Sequence, residues 1–166
     1  MRQDGFTLLE LMLVVAIVGI TLVFGAPSLD YTLDSGRLTA NTNEFVGALN
    51  LARLEAVKQG RTVRISSISG GGDWGAGFRL WIDANANDLY NAGEEIRIYP
   101  AIDNGLTLIG DGGASSISFL ASGFTSQATG NNVTLKLCSD NSSLTDRQVV
   151  INTAGRITVG DTGADC

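Results

Sequence analysis

The sequence predicts an α+β chain: a long N-terminal α-helix, transmembrane then amphipathic, packed on a small, mostly antiparallel β-sheet head. Three observations predict it. Between Phe6 and Ala26 the only charged residue is Glu10, so this span approaches the ~20 apolar residues with which a helix crosses a bilayer. Beyond Pro27, Leu38, Phe45, Leu49, Ala52 and Ala56 follow at helical spacing and mark one face of a continuing helix. From Arg61 onward apolar residues alternate with polar ones in short runs, the period of half-buried strands.

Residues 1–5, Met-Arg-Gln-Asp-Gly, precede the apolar run. Arg2 there favours an N-terminus kept in the cytoplasm. An ordinary secretory signal would end near the small residues Gly25-Ala26. That reading leaves Glu10 unexplained, because a carboxylate within a membrane span is costly and is a functional hint. A simple signal-anchor helix is the alternative. The amphipathic continuation covers 27–59, with Gly60 as its C-cap. Arg37, Glu44, Asn50, Arg53 and Lys58 fall mostly off its apolar face, and Pro27 and Gly36 are points where it would bend.

The head covers 60–166. Its expected strands carry Val63 and Ile65, with Ile68 beyond them, then Phe78, Leu80 and Ile82, then Ile96 and Ile98. Leu106 and Leu108, Ile117 and Phe119, Val133 to Leu137, Val149 and Ile151, and Ile157 and Val159 supply the rest. That makes about seven to nine short strands. Gly70–Gly72 and Asp111-Gly112-Gly113 read as turns.

Net charge is −6 and histidine is absent. An acidic head repels a phosphate backbone, so nucleic acid is not its default partner. Without histidine the commonest general base and metal ligand is missing. Neither cysteine reads as free and nothing marks a carboxylate pair as an active site, so an enzyme is not expected. The glycine-rich stretch Gly70–Gly77 lacks the lysine of a phosphate-binding loop and has no helix after it. Trp74 and Trp81 read as core or interface aromatics.

Gly5-Phe6-Thr7-Leu8-Leu9-Glu10, followed by the apolar run, resembles the signal of type IV prepilins and of type II secretion pseudopilins. The resemblance implies a leader, residues 1–5, removed by a prepilin peptidase that cuts after Gly5 and methylates Phe6. It implies that Glu10 meets the N-terminal amine of a neighbouring subunit, two buried charges offsetting each other's desolvation. Leu51-Ala52-Arg53-Leu54-Glu55-Ala56 is similar to a signature of the GspH/FimT branch. Trp74-Gly75, Gly77-Phe78, Trp81-Ile82-Asp83 with Asn85 and Asn87, Gly93-Glu94-Glu95, and Gly155-Arg156 continue that resemblance in order. The fold it implies is the type IV pilin-like one.

Several residues stand out as candidate sites. Asp83, Asn85, Asn87 and Glu94 occupy positions 1, 3, 5 and 12 of an EF-hand-like loop. Asp88 stands where the loop's glycine belongs, and the flanks read as strands. The loop would hold Ca2+ weakly, or it is a polar hairpin rich in turn formers; no other cofactor is implied. Gly155-Arg156-Ile157-Thr158 matches half of a Gly-Arg-x-Arg motif through which some relatives bind DNA, with Arg147 and Lys136 as further cations. The alternative is an arginine that salt-bridges or caps a sheet edge. If the head is exported, Cys138 and Cys166 pair and tie down the C-terminus; in a chain-entropy picture the closed loop stabilises by roughly 3–4 kcal/mol. Two unrelated buried thiols are the other reading.

The function implied is that of a minor pilin priming assembly at or near the tip of a type IV pilus, together with other minor and major pilins. The alternatives are a DNA-binding minor pilin for natural transformation and a GspH-type pseudopilin of type II secretion. The implied location is a single pass of the inner membrane with the head in the periplasm, then a filament at the cell surface.

Overall fold

The computed structural model describes residues 6–102, 105–126 and 131–162, with side chains at these positions other than 23–29. Helix α1 runs Leu8–Gln59 without a break at Pro27 or Gly36. Its 52 residues span about 78 Å. Thr7 caps the start, its hydroxyl accepting the Glu10 amide at 3.3 Å, so a first-turn orphan donor is satisfied. Gly60 ends the helix at φ 64°, its amide donating to the Ala56 carbonyl, a left-handed stop that glycine adopts without Cβ strain.

The head holds β1 (Val63–Ser67), β2 (Phe78–Ile82), β3 (Glu95–Tyr99), β4 (Leu106–Gly110), β5 (Ser116–Phe119), β6 (Val133–Ser139), β7 (Arg147–Ile151) and β8 (Ile157–Asp161). They form two four-stranded sheets rather than one, in orders β3-β2-β1-β5 and β4-β6-β7-β8. Every pairing is antiparallel. Register sets the faces: Ile65 lies across from Leu80 and Ile117, and Leu135 lies across from Val149. These inward residues and Leu38, Phe45, Leu49, Ala52 and Ala56 of α1 form one buried cluster, which removes apolar surface from water.

An aromatic group ties the sheets to the helix. Phe45 meets Trp74 at 5.6 Å and Phe78 at 5.2 Å, both edge-on, and Phe78 stacks on Tyr99 at 4.6 Å. The glycine-rich stretch has its explanation here. Gly72 (φ 85°) lies so close to Gly113 that a Cβ would meet its Cα at 2.9 Å. The Gly72 carbonyl accepts the Gly110 amide at 2.8 Å. The two turns interlock backbone to backbone over Trp74, which is fully buried and donates its indole N–H to the Ala114 carbonyl at 2.7 Å.

Some expected inward positions are exposed. Ile98 is 52% exposed and Val159 47% exposed, and both lie on edge strands. Ile68 lies just past the end of β1 and is exposed. Trp81, on the outer face opposite Arg64, is nevertheless buried, because the β2–β3 loop folds over it.

Candidate functional site

Every described side chain from Phe6 to Leu22 is exposed. Glu10, in the first turn, is the one acid in this row. Among the described residues no helix is long and apolar enough to cross a membrane; the expected span over 6–26 continues onto side chains outside the description. Gly5, the expected cleavage site, also lies outside the described residues.

The apolar row has a continuation. Gly36, Ala40, Asn43, Gly47, Asn50 and Leu54 are all exposed and alternate at intervals of four and three, one stripe along a helix. It runs opposite the face that grips the head. A Cβ added at Gly36 or Gly47 would touch nothing. Small residues in such a row let a second helix approach backbone to backbone.

Arg53 locks the helix to the head. Its Nε donates to the Gly123 carbonyl at 3.0 Å and its Nη2 to the Ala154 carbonyl at 3.2 Å. Gly123 follows β5 of one sheet, and Ala154 lies in the β7–β8 turn of the other. One guanidinium therefore fastens the ends of both sheets to α1. Gly155 (φ 73°) makes room, since a Cβ there would collide with the Gly123 carbonyl and come within 3.1 Å of Arg53 Nε. This role was not visible in sequence. Its signal was an arginine among alanines, with two glycines far along the chain.

The loop after β2 brings Asp83, Asn85, Asn87 and Glu94 together, but their oxygens point at the loop's own donors. Asp83 accepts the Asn87 and Asp88 amides at 3.0 and 3.1 Å. Glu94 accepts the Ala84 and Asn91 amides at 3.1 and 2.9 Å. Asn85 accepts the Asn87 amide, and Asn87 the Leu89 amide. Asp88 takes the left-handed conformation at φ 64°, as the glycine it replaces would. Arg64 of β1 pairs with both Asp83 and Asp88 and lies 5.6 Å from the Trp81 ring centre, and Arg61 donates to the Ala84 carbonyl. No group of three or more Asp, Glu, His or Cys able to hold a metal occurs among the described residues.

The three candidate DNA contacts do not form one patch. Arg147 sits at the Asp161 end of β7 and pairs with that carboxylate. Arg156 lies beyond the opposite end of the same hairpin, about 17 Å away at strand rise. Lys136, between the buried Leu135 and Leu137, belongs to the outer face of β6. Cys138, buried on β6, is not a free thiol; its expected partner Cys166 lies outside the described residues. Burial pushes the Tyr99 hydroxyl pKa above its ordinary value, while Arg97, 4.8 Å over its ring, works against this.

Residues 41–155, more than half of the chain, match the family described as Type II transport protein GspH. The chain belongs to the GspH family. Residues 1–26 match the prokaryotic N-terminal methylation motif. The pilin-like protein PilA1 of Thermus thermophilus is 35% identical over 97 residues, 57% of this chain and 58% of that relative. The match to this relative thus spans little more than half of its length. Among solved structures, the type IV minor pilin FimU of Pseudomonas aeruginosa superposes at TM-score 0.65 with 24% identity, covering 76% of this chain and 90% of FimU. The minor pseudopilin EpsH of Vibrio cholerae superposes at 0.55 with 15% identity, covering 75% and 97%. The two superpositions establish the type IV pilin-like fold.

Proposed function

We propose that this GspH-family chain is a minor subunit of a type IV pilus and helps prime filament assembly at or near the tip. The observation that carries the reading is the outward face of α1. Apart from Glu10 and two threonines it is apolar from Phe6 to Leu22, it is small at Gly36, Ala40 and Gly47, and these residues are exposed, while the opposite face holds the head from Leu38 on. A row of that length has no use in an isolated head, and it fits packing against the helices of other pilins.

The methylation motif over residues 1–26 supports removal of Met1–Gly5 by a prepilin peptidase and methylation of Phe6. Glu10 then accepts the N-terminal ammonium of a neighbouring subunit, a pair whose partners offset each other's burial cost. Before assembly the first half of α1 sits in the inner membrane with the head on the periplasmic side. After assembly the chain is part of a surface filament.

The family's type II transport description and the EpsH-like fold favour a second reading, a pseudopilin of a secretion system. Deleting the gene and scoring surface pili, transformation frequency and exoprotein secretion in parallel separates them. Loss of pili with secretion intact supports the pilus role. Loss of secretion alone moves the chain to the pseudopilus, and loss of transformation with pili intact would instead favour DNA capture.

A further inference from the structure

We propose that β8 is a docking edge, completed in the filament by an extended, acidic segment of a neighbouring subunit that adds as a fifth strand. The inference rests on the filament-subunit reading above.

Each sheet has two edges, and three of the four edges are covered or defended. The β4 edge is capped by the 70–74 turn, with Trp74 donating to the Leu108 carbonyl and Gly110 to the Gly72 carbonyl, both at 2.8 Å. The β5 edge is capped by Thr125 and Ser126, the latter donating to the Ser118 carbonyl at 3.0 Å. The β3 edge carries Glu95 and Arg97, a register shift beside it at Leu80/Trp81, and Pro100 just beyond. Charges, bulges and proline are the devices that keep edge strands from recruiting another chain.

The β8 edge has none of these along Ile157–Gly160. Asp161, its only charge, is taken by Arg147. Val159 is 47% exposed, and no described segment pairs with the strand on the side away from β7. At the head of the strand, exposed Arg156 uses its amide on the Asn152 side chain. Its guanidinium has no carboxylate partner among the described residues, in a chain with 17 acids against 11 bases. The unmet charge at this edge is therefore positive. A strand bearing a carboxylate opposite Arg156 and an apolar side chain beside Val159 satisfies the backbone, the charge and the apolar surface together. Main-chain pairing of this kind is a known mode of recognition.

The test is amide hydrogen exchange of the 156–162 stretch, in the full chain in detergent micelles and in sheared filaments. It is paired with incorporation of Val159→Lys, Arg156→Glu and the control Ile98→Lys on the already charged β3. The expected result is exchange slowed by about 100-fold on assembly. Val159→Lys and Arg156→Glu should be lost from filaments while melting like the parent, and Ile98→Lys should be retained. Unchanged exchange at 156–162 in filaments that contain the chain overturns the proposal. So does slowing caused by duplex DNA but not by assembly, which would assign Arg156 to nucleic acid. Absence of the parent chain from every filament would instead defeat the filament reading, and this inference with it.

Discussion

At the residue scale, the side chains that matter most to the head are arginines with carbonyl or carboxylate partners fixed by distant loops. Arg53 makes two hydrogen bonds across 70 and 101 residues of sequence. Arg53→Ala should lower stability by about 1–3 kcal/mol, since two carbonyls lose a charged donor, and Arg53→Lys should recover less than half, because a point charge cannot serve both carbonyls at once. Denaturant unfolding measures it; parent-like stability in Arg53→Ala would show that the staple contributes nothing. Arg64 is the counter-charge of the buried Asp83, so Arg64→Ala should cost about 3 kcal/mol by leaving a buried charge uncompensated. Because Arg64 and the loop amides already engage these oxygens, millimolar Ca2+ should leave the melting temperature of the parent unchanged. A rise of several degrees would reinstate the cation site. Tyr99 has a raised folded-state pKa, first from burial. Its contribution is fully present below the unfolded value near 10 and is lost as pH rises through the folded value. Stability should therefore fall above about pH 10, and Tyr99→Phe should remove part of that fall in a pH series of thermal melts.

At the scale of elements, the helix was the most legible part. Its apolar spacing named five positions, Leu38, Phe45, Leu49, Ala52 and Ala56, and all are buried. Gly60 was identifiable as the stop because a left-handed C-cap selects glycine. The strand positions were legible in the middle of each sheet, where alternation is enforced by burial on one face. They failed at Ile98, which pairs with Arg79 on the outer side next to the register shift at Leu80/Trp81, and at Val159, which lies across from the buried Val149 but on an edge strand that the core no longer covers. The 83–94 loop left two readings open in sequence, a weak cation loop and a polar hairpin, and the left-handed Asp88 came only with the structure. What sequence could not give was Arg64, nineteen residues earlier and on another strand. The two faces of α1 make opposite predictions. Leu49→Ala, in the core, should cost about 2–5 kcal/mol. Leu54→Ala, on the outward stripe, should leave unfolding within about 0.5 kcal/mol of the parent yet reduce recovery in filaments. Equal recovery of Leu54→Ala and parent would argue against helix packing along that stripe.

At the scale of the whole molecule, the division of labour follows from burial. One end of the chain is a helix whose apolar side chains are exposed from Phe6 to Leu22, and the other is a head with a closed core. The split into two sheets was not legible, because pairing partners such as β1 and β5 are separated by some fifty residues and no local signal records them. Both sheets meet through the interlocked turns at Gly72 and Gly110 and through Arg53, and they share one core with the helix. The central claim is that this GspH-family chain is a processed filament subunit, and mass spectrometry of its N-terminal peptide in purified, sheared filaments tests it most directly. The peptide should begin at an N-methylated Phe6; a chain absent from filaments and retained in the membrane with Met1–Gly5 intact would contradict processing and assembly.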